Sequence, residues 1–67
     1  MDKVIFPEVT VKLVGSDGNA FNIIALCMKE ARKQKVPADK INEFMDEAMS
    51  SDYANLLRTC MKWFNIE

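Results

Sequence analysis

Several side-chain groups in this 67-residue chain have types and spacings that could do chemistry, beginning with Gly15-Ser16-Asp17-Gly18-Asn19. This stretch joins a strand-like segment to a helix-like one. Free amides and the helix dipole favour anions at such a junction, so phosphate is the ligand to consider. The details argue otherwise. No Lys-Ser or Lys-Thr pair follows the second glycine, and the third glycine of a dinucleotide fingerprint is missing. Asp17 also places a negative charge where phosphate would sit. The expected role of Gly15, Asp17, Gly18 and Asn19 is therefore structural. Asp17 or Asn19 caps the helix, and Gly18 is expected to take a positive φ.

Glu43, Asp46 and Glu47 stand at i, i+3 and i+4, a spacing that could gather a divalent cation or a basic partner. Acid–base catalysis would require burial to shift their pKa values. Their helical phase points them outward, so they read as solubilising charge. Cys27 and Cys60 are 33 positions apart and belong to no C-x-x-C pair. With no histidine in the chain, they cannot complete a structural zinc site. Burial as small hydrophobes is the favoured reading, ahead of a disulfide, which is uncommon in a reducing compartment, and of a reactive thiol. Lys29, Arg32, Lys33 and Lys35 form a basic stretch opposed only by Glu30. Arg58 and Lys62 could extend it into a phosphate-backbone surface. Asp39, Glu43, Asp46, Glu47 and Asp52 follow directly, opposed only by Lys40, and would repel nucleic acid. The two blocks read as solvated helix faces of opposite sign.

Composition narrows the function classes further. The chain is 49% apolar and 28% charged, which excludes a disordered tail. A net charge of -1 lacks the basic excess of small nucleic-acid binders. The absence of histidine, of a nucleophile with a recognisable base and of room for an enclosed pocket argues against an enzyme. No cofactor is implied. No signal peptide or membrane span is visible, so the expected setting is the cytoplasm, with no membrane partner.

The elements that position these groups follow from hydrophobic periodicity. Residues 9–14 alternate Val9, Val11 and Leu13 with Thr10 and Lys12, which predicts a strand with one buried face. Pro7 cannot donate to a ladder, so the strand is expected to start after it or to run along an edge. Residues 19–35 predict a helix with Ala20, Phe21, Ile23, Ile24, Cys27, Met28 and Ala31 on its apolar arc. Val36-Pro37 breaks the chain, with Pro37 at a first helical position. Residues 38–50 predict a second helix striped by Ile41, Phe44, Met45, Ala48 and Met49. Asp52 caps a third helix from about residue 53, where Tyr53, Leu56, Leu57, Cys60, Met61, Trp63 and Phe64 cover half the circumference. Such width marks it as the central element, leaving Thr59 among the residues facing water. Residues 63–66 either end that helix or form a short strand. The fold class is α+β, one main strand followed by three helices, with a possible short C-terminal strand beside the first.

Taken together, residues 11–21 and Asp52-Tyr53-Ala54-Asn55-Leu56-Leu57 resemble a group of small uncharacterised bacterial and phage-borne proteins. These share a strand, a "VG-x-DGNAF" turn and a "DY-x-x-LL" helix. The resemblance covers about half the chain. It implies a small accessory protein and carries no catalytic residue, cofactor or partner with it.

A strand of residues 9–14 must find a pairing partner, because unpaired buried backbone groups are costly. The candidates are residues 4–6, the C-terminus or a second copy. Pairing across a twofold axis would place Val11 and Lys12 at its centre. Leu26 lies on a polar face without an obvious internal contact, and Trp63 is a further candidate for contact with a partner. The expected function is thus a small non-enzymatic interaction protein that self-associates or binds another protein. The alternative is a nucleic-acid accessory factor using Lys29, Arg32 and Lys33.

Overall fold

The computed structural model describes residues 3–13 and 18–67. Strand β1 (Phe6–Val11) is followed by helices α1 (Ala20–Lys33), α2 (Ala38–Ala48) and α3 (Tyr53–Trp63), and then by strand β2 (Phe64–Ile66). The α+β architecture and the C-terminal strand are as the sequence implies. β1 and β2 pair in parallel, with Phe6 opposite Phe64, Thr10 opposite Asn65 and Val11 opposite Ile66. Parallel strands need a long crossover, and the three helices supply it.

β1 begins three residues earlier than the alternation predicts, with Pro7 inside it, and ends at Val11, so that Lys12 and Leu13 lie beyond the strand. Register is lost between Phe6 and Thr10, so the proline's missing N–H interrupts no regular ladder. Val9 and Val11 are buried while Thr10 and Lys12 are exposed, which is the expected alternation. Pairing continues past both ends. The Ile5 N–H donates to the Lys62 carbonyl, the Glu67 N–H to Val11 and the Leu13 N–H to Glu67. The strand therefore finds its partner within the chain. Val11 is buried beneath this pairing, and Lys12 beside it is exposed. Val14, Gly15 and Asp17 lie outside the described residues.

Each helix starts on a side-chain cap or a proline. Asn19 Oδ1 accepts from the Phe21 N–H at 2.8 Å, and Asp52 Oδ1 accepts from the Asn55 N–H at 2.9 Å. Each satisfies an amide that has no partner within its helix. Pro37 is the N-cap of α2 rather than its first residue. Gly18 does not adopt the positive φ expected of it. That conformation belongs to Lys35, at φ 62°. The Lys35 N–H donates to the Arg32 carbonyl and the Val36 N–H to Ala31, each at 3.0 Å. This is the Schellman closure of α1 with a lysine where glycine is usual. Val36 completes it by burying its side chain in the core.

The core joins Val9 and Val11 to Ile23, Ile24, Cys27 and Ala31 of α1, Ile41, Phe44 and Ala48 of α2, and Leu56, Cys60, Trp63 and Phe64. Four aromatic rings concentrate at one end. Phe44 meets Phe64 edge-on at 4.8 Å and Trp63 at 5.9 Å, while Phe6 stacks against Trp63 at 6.0 Å. Trp63 is thus a core residue and not a contact for partners. Its Nε1–H is buried without a hydrogen-bond partner among the described residues. α1 leans more on β1 than on α3, so α3 is central to α2 and β2 but not to all three helices. Thr59 is buried against expectation, since its hydroxyl donates to the Asn55 carbonyl one turn back at 2.8 Å.

Candidate functional site

The corner between α2 and α3 is held by a local hydrogen-bond set. Asn55 Nδ2 donates to the Glu47 carbonyl at 3.0 Å, and the Ser50 hydroxyl donates to the same carbonyl at 2.7 Å. Asp52 caps the helix that follows. The Tyr53 hydroxyl donates to the Gly18 carbonyl, which ties the start of α3 to the segment before α1. These contacts bring the first turns of α1 and α3 and the last residues of α2 to one place.

A groove of about 220 Å³ opens there, floored by Ile24 and Leu56 and edged by Phe21, Met49, Tyr53 and Asp52. Phe21 is 72% exposed, Met49 54% and Tyr53 45%. All three were expected on buried stripes. Helical phase does place them on the apolar side, but each lies at a helix end, where no neighbouring element reaches over it. Phe21 is the second residue of α1, Met49 the C-cap of α2 and Tyr53 the first residue of α3. The signal in the sequence was this terminal position. Large apolar side chains gathered beside polar groups around one depression are the usual form of a contact surface for other molecules.

The other anticipated residues are scattered. Lys12, Lys29, Arg32 and Lys33 are exposed, with Lys33 beside Glu30 at 3.4 Å. Arg58 and Lys62 do not extend this basic stretch. They line a separate groove with Lys3, Val4 and Met61, to which α1 contributes nothing. Leu26 is half-buried, packs against the core and borders a shallow depression with Thr10, Val11, Lys12 and Glu30. It therefore has internal contacts, contrary to the sequence reading.

The acidic residues of α2 face outward as expected, yet two of them are engaged. Lys40 Nζ meets Glu43 Oε2 at 3.0 Å, and hydrogen bonding to that carboxylate raises the lysine pKa. Lys62 Nζ reaches Glu47 Oε2 at 3.0 Å, bridging α3 to α2. Among the described residues no group of three or more potential ligands could hold a metal ion. No described helix is long and apolar enough to cross a membrane.

Cys27 and Cys60 are fully buried, as the sequence implies, and they touch. The Cys27 S–H donates to the Cys60 sulfur at 3.7 Å. That hydrogen bond lowers the Cys60 pKa, against the effect of burial. The same bond raises the Cys27 pKa, as do burial and repulsion from a Cys60 thiolate.

No family model, curated protein sequence or solved structure matches this chain.

Proposed function

We propose that the protein is a non-enzymatic interaction module that self-associates through the groove edged by Phe21, Met49 and Tyr53. One observation carries the reading. Of the five large apolar side chains that stand exposed among the described residues, three, Phe21, Met49 and Tyr53, gather around a single depression, while Ile5 and Met61 lie apart from it. A second copy fits this surface for two reasons. Phe21 projects from the rim of an apolar groove, so a twofold arrangement lets each copy seat its ring in the other. That satisfies the self-complementarity of an isologous interface. The net charge of -1 per chain adds little repulsion to the encounter. Covering the patch also enlarges the small core available to 67 residues. The sequence resemblance to bacterial and phage-borne accessory proteins is compatible with such a role.

Sedimentation equilibrium tests the reading. The mass should rise from 7.7 kDa towards twice that value as concentration increases. Phe21→Ser should weaken the association by at least ~5-fold, since an exposed aromatic anchor contributes more than about 1 kcal/mol. Lys12→Glu, away from the groove, should leave it unchanged. A wild-type mass fixed at 7.7 kDa up to about millimolar concentration, the weak limit of specific binding, overturns self-association.

A further inference from the structure

Cys27 and Cys60 are the only sulfhydryl side chains in the chain, and they come from α1 and α3 to meet at the centre of the core. Both side chains are sealed from water. Their sulfurs lie 3.7 Å apart. A disulfide requires roughly 2.05 Å, so closure moves the sulfurs together by about 1.7 Å. No carboxylate or lysine stands between them among the described core residues, whose other members are apolar apart from Thr59.

We propose that Cys27 and Cys60 form a reversible intramolecular disulfide that staples α1 to α3 when the chain meets a small-molecule disulfide oxidant. The chemistry is two successive exchanges. When the domain opens locally, the Cys60 thiolate attacks one sulfur of the oxidant. A sulfur–sulfur bond forms at Cys60, and one thiolate leaves and takes up a proton from solvent. Cys27 then loses its proton, and its thiolate attacks the Cys60 sulfur of the mixed disulfide. The Cys27–Cys60 bond forms and the second small thiolate departs, again to be protonated. Two electrons pass from the protein thiols to the oxidant, which ends as two thiols. The two thiols can also act in the opposite order, with the same products.

The device acts on stability. Burial keeps the thiols from the oxidant while the fold is closed, so opening limits the rate. Once formed, the bond closes a loop of 33 residues and restricts the unfolded chain far more than the folded one.

The test compares the same equilibrium in folded and unfolded protein, since two cysteines on one flexible chain also pair to some degree. The full chain is equilibrated in buffers of reduced and oxidised glutathione, with and without concentrated guanidinium chloride. Samples are acid-quenched and their intact mass is read. The expected native product has lost two hydrogens and carries no adduct. Its closure constant should exceed that of the unfolded chain on the order of 100- to 1000-fold, the range loop closure of this length implies. The oxidised form should melt at higher temperature than the reduced form, and a thiol reductant should reverse both changes. Cys60→Ser should yield only a single glutathione adduct at Cys27. A native closure constant equal to or below the unfolded one overturns the proposal. So does a native product with two adducts, or an oxidised form that melts lower.

Discussion

Phe44 offers a direct test of what holds this small domain together. Its ring is completely buried and meets Phe64 at 4.8 Å and 61°, and Trp63 at 5.9 Å and 66°. Both contacts are edge-on, the arrangement in which the ring quadrupoles attract. Phe44→Leu keeps most of the apolar bulk and removes both ring pairs. At ~0.5–1.5 kcal/mol per pair, the lost contacts amount to roughly 1–3 kcal/mol. The space left where the ring edge stood adds to this, giving a loss of ~2–3 kcal/mol, below the ~3–5 kcal/mol of a full truncation to alanine. A domain of this length has a total stability of about 3–10 kcal/mol, so the variant gives up a large share of it. Its melting temperature should fall by roughly 10–20 °C. Urea titration followed by circular dichroism measures the change, with an unaltered slope showing that the unfolded state is unaffected. Met61→Leu, 55% exposed and outside the groove, serves as the control and should stay within about 0.5 kcal/mol. A loss below about 1 kcal/mol for Phe44→Leu would refute the claim that the aromatic cluster anchors α2 to α3 and β2.

Three further expectations follow from the loops and the charge pattern. Lys35→Gly should raise stability by about 0.5 kcal/mol, because relief of the left-handed conformation outweighs the entropy that glycine adds. Gly18→Ala should fall between neutral and ~1 kcal/mol stabilising, since a Cβ there meets only the Tyr53 hydroxyl at 3.7 Å. A destabilised Gly18→Ala variant or a destabilised Lys35→Gly variant in thermal melts would contradict the backbone geometry. A fluorescence-anisotropy titration with duplex DNA at physiological salt should show no binding tighter than ~100 μM, the weak end of non-specific association. Micromolar binding abolished by Lys29→Glu with Lys33→Glu would instead favour a nucleic-acid role.

The fold was legible wherever periodicity was strong. The alternation of Val9, Val11 and Leu13 and the stripe of Ile41, Phe44 and Ala48 each identify an element and its buried face. Boundaries were less legible where a residue acts against its usual rule. Pro7 lies within β1 because the register already fails there. Lys35 takes the conformation normally given to glycine because Val36, one residue on, gains a place in the core. The signal was present in Val36-Pro37, an apolar residue and then a proline just past the helix end.

The candidate site was harder to read, for a reason that bears on its function. Phase assigns a side chain to one side of a helix, but burial depends on whether another element extends over that turn. Phe21, Met49 and Tyr53 satisfy the first condition and fail the second. At the interior of the same helices, Ile24 and Leu56 satisfy both and floor the groove between the exposed three. Burying such large side chains would stabilise the chain by ~1.5–3 kcal/mol each. Within this fold only a longer helix or an added segment could cover them. The corner that exposes them is fixed by Asp52, Asn55, Ser50 and the Tyr53 hydroxyl, each spent on a specific hydrogen bond. A rigid polar frame around an uncovered apolar surface lowers the ordering cost of association. That combination, more than exposure alone, favours the groove over the basic face as the contact surface proposed above.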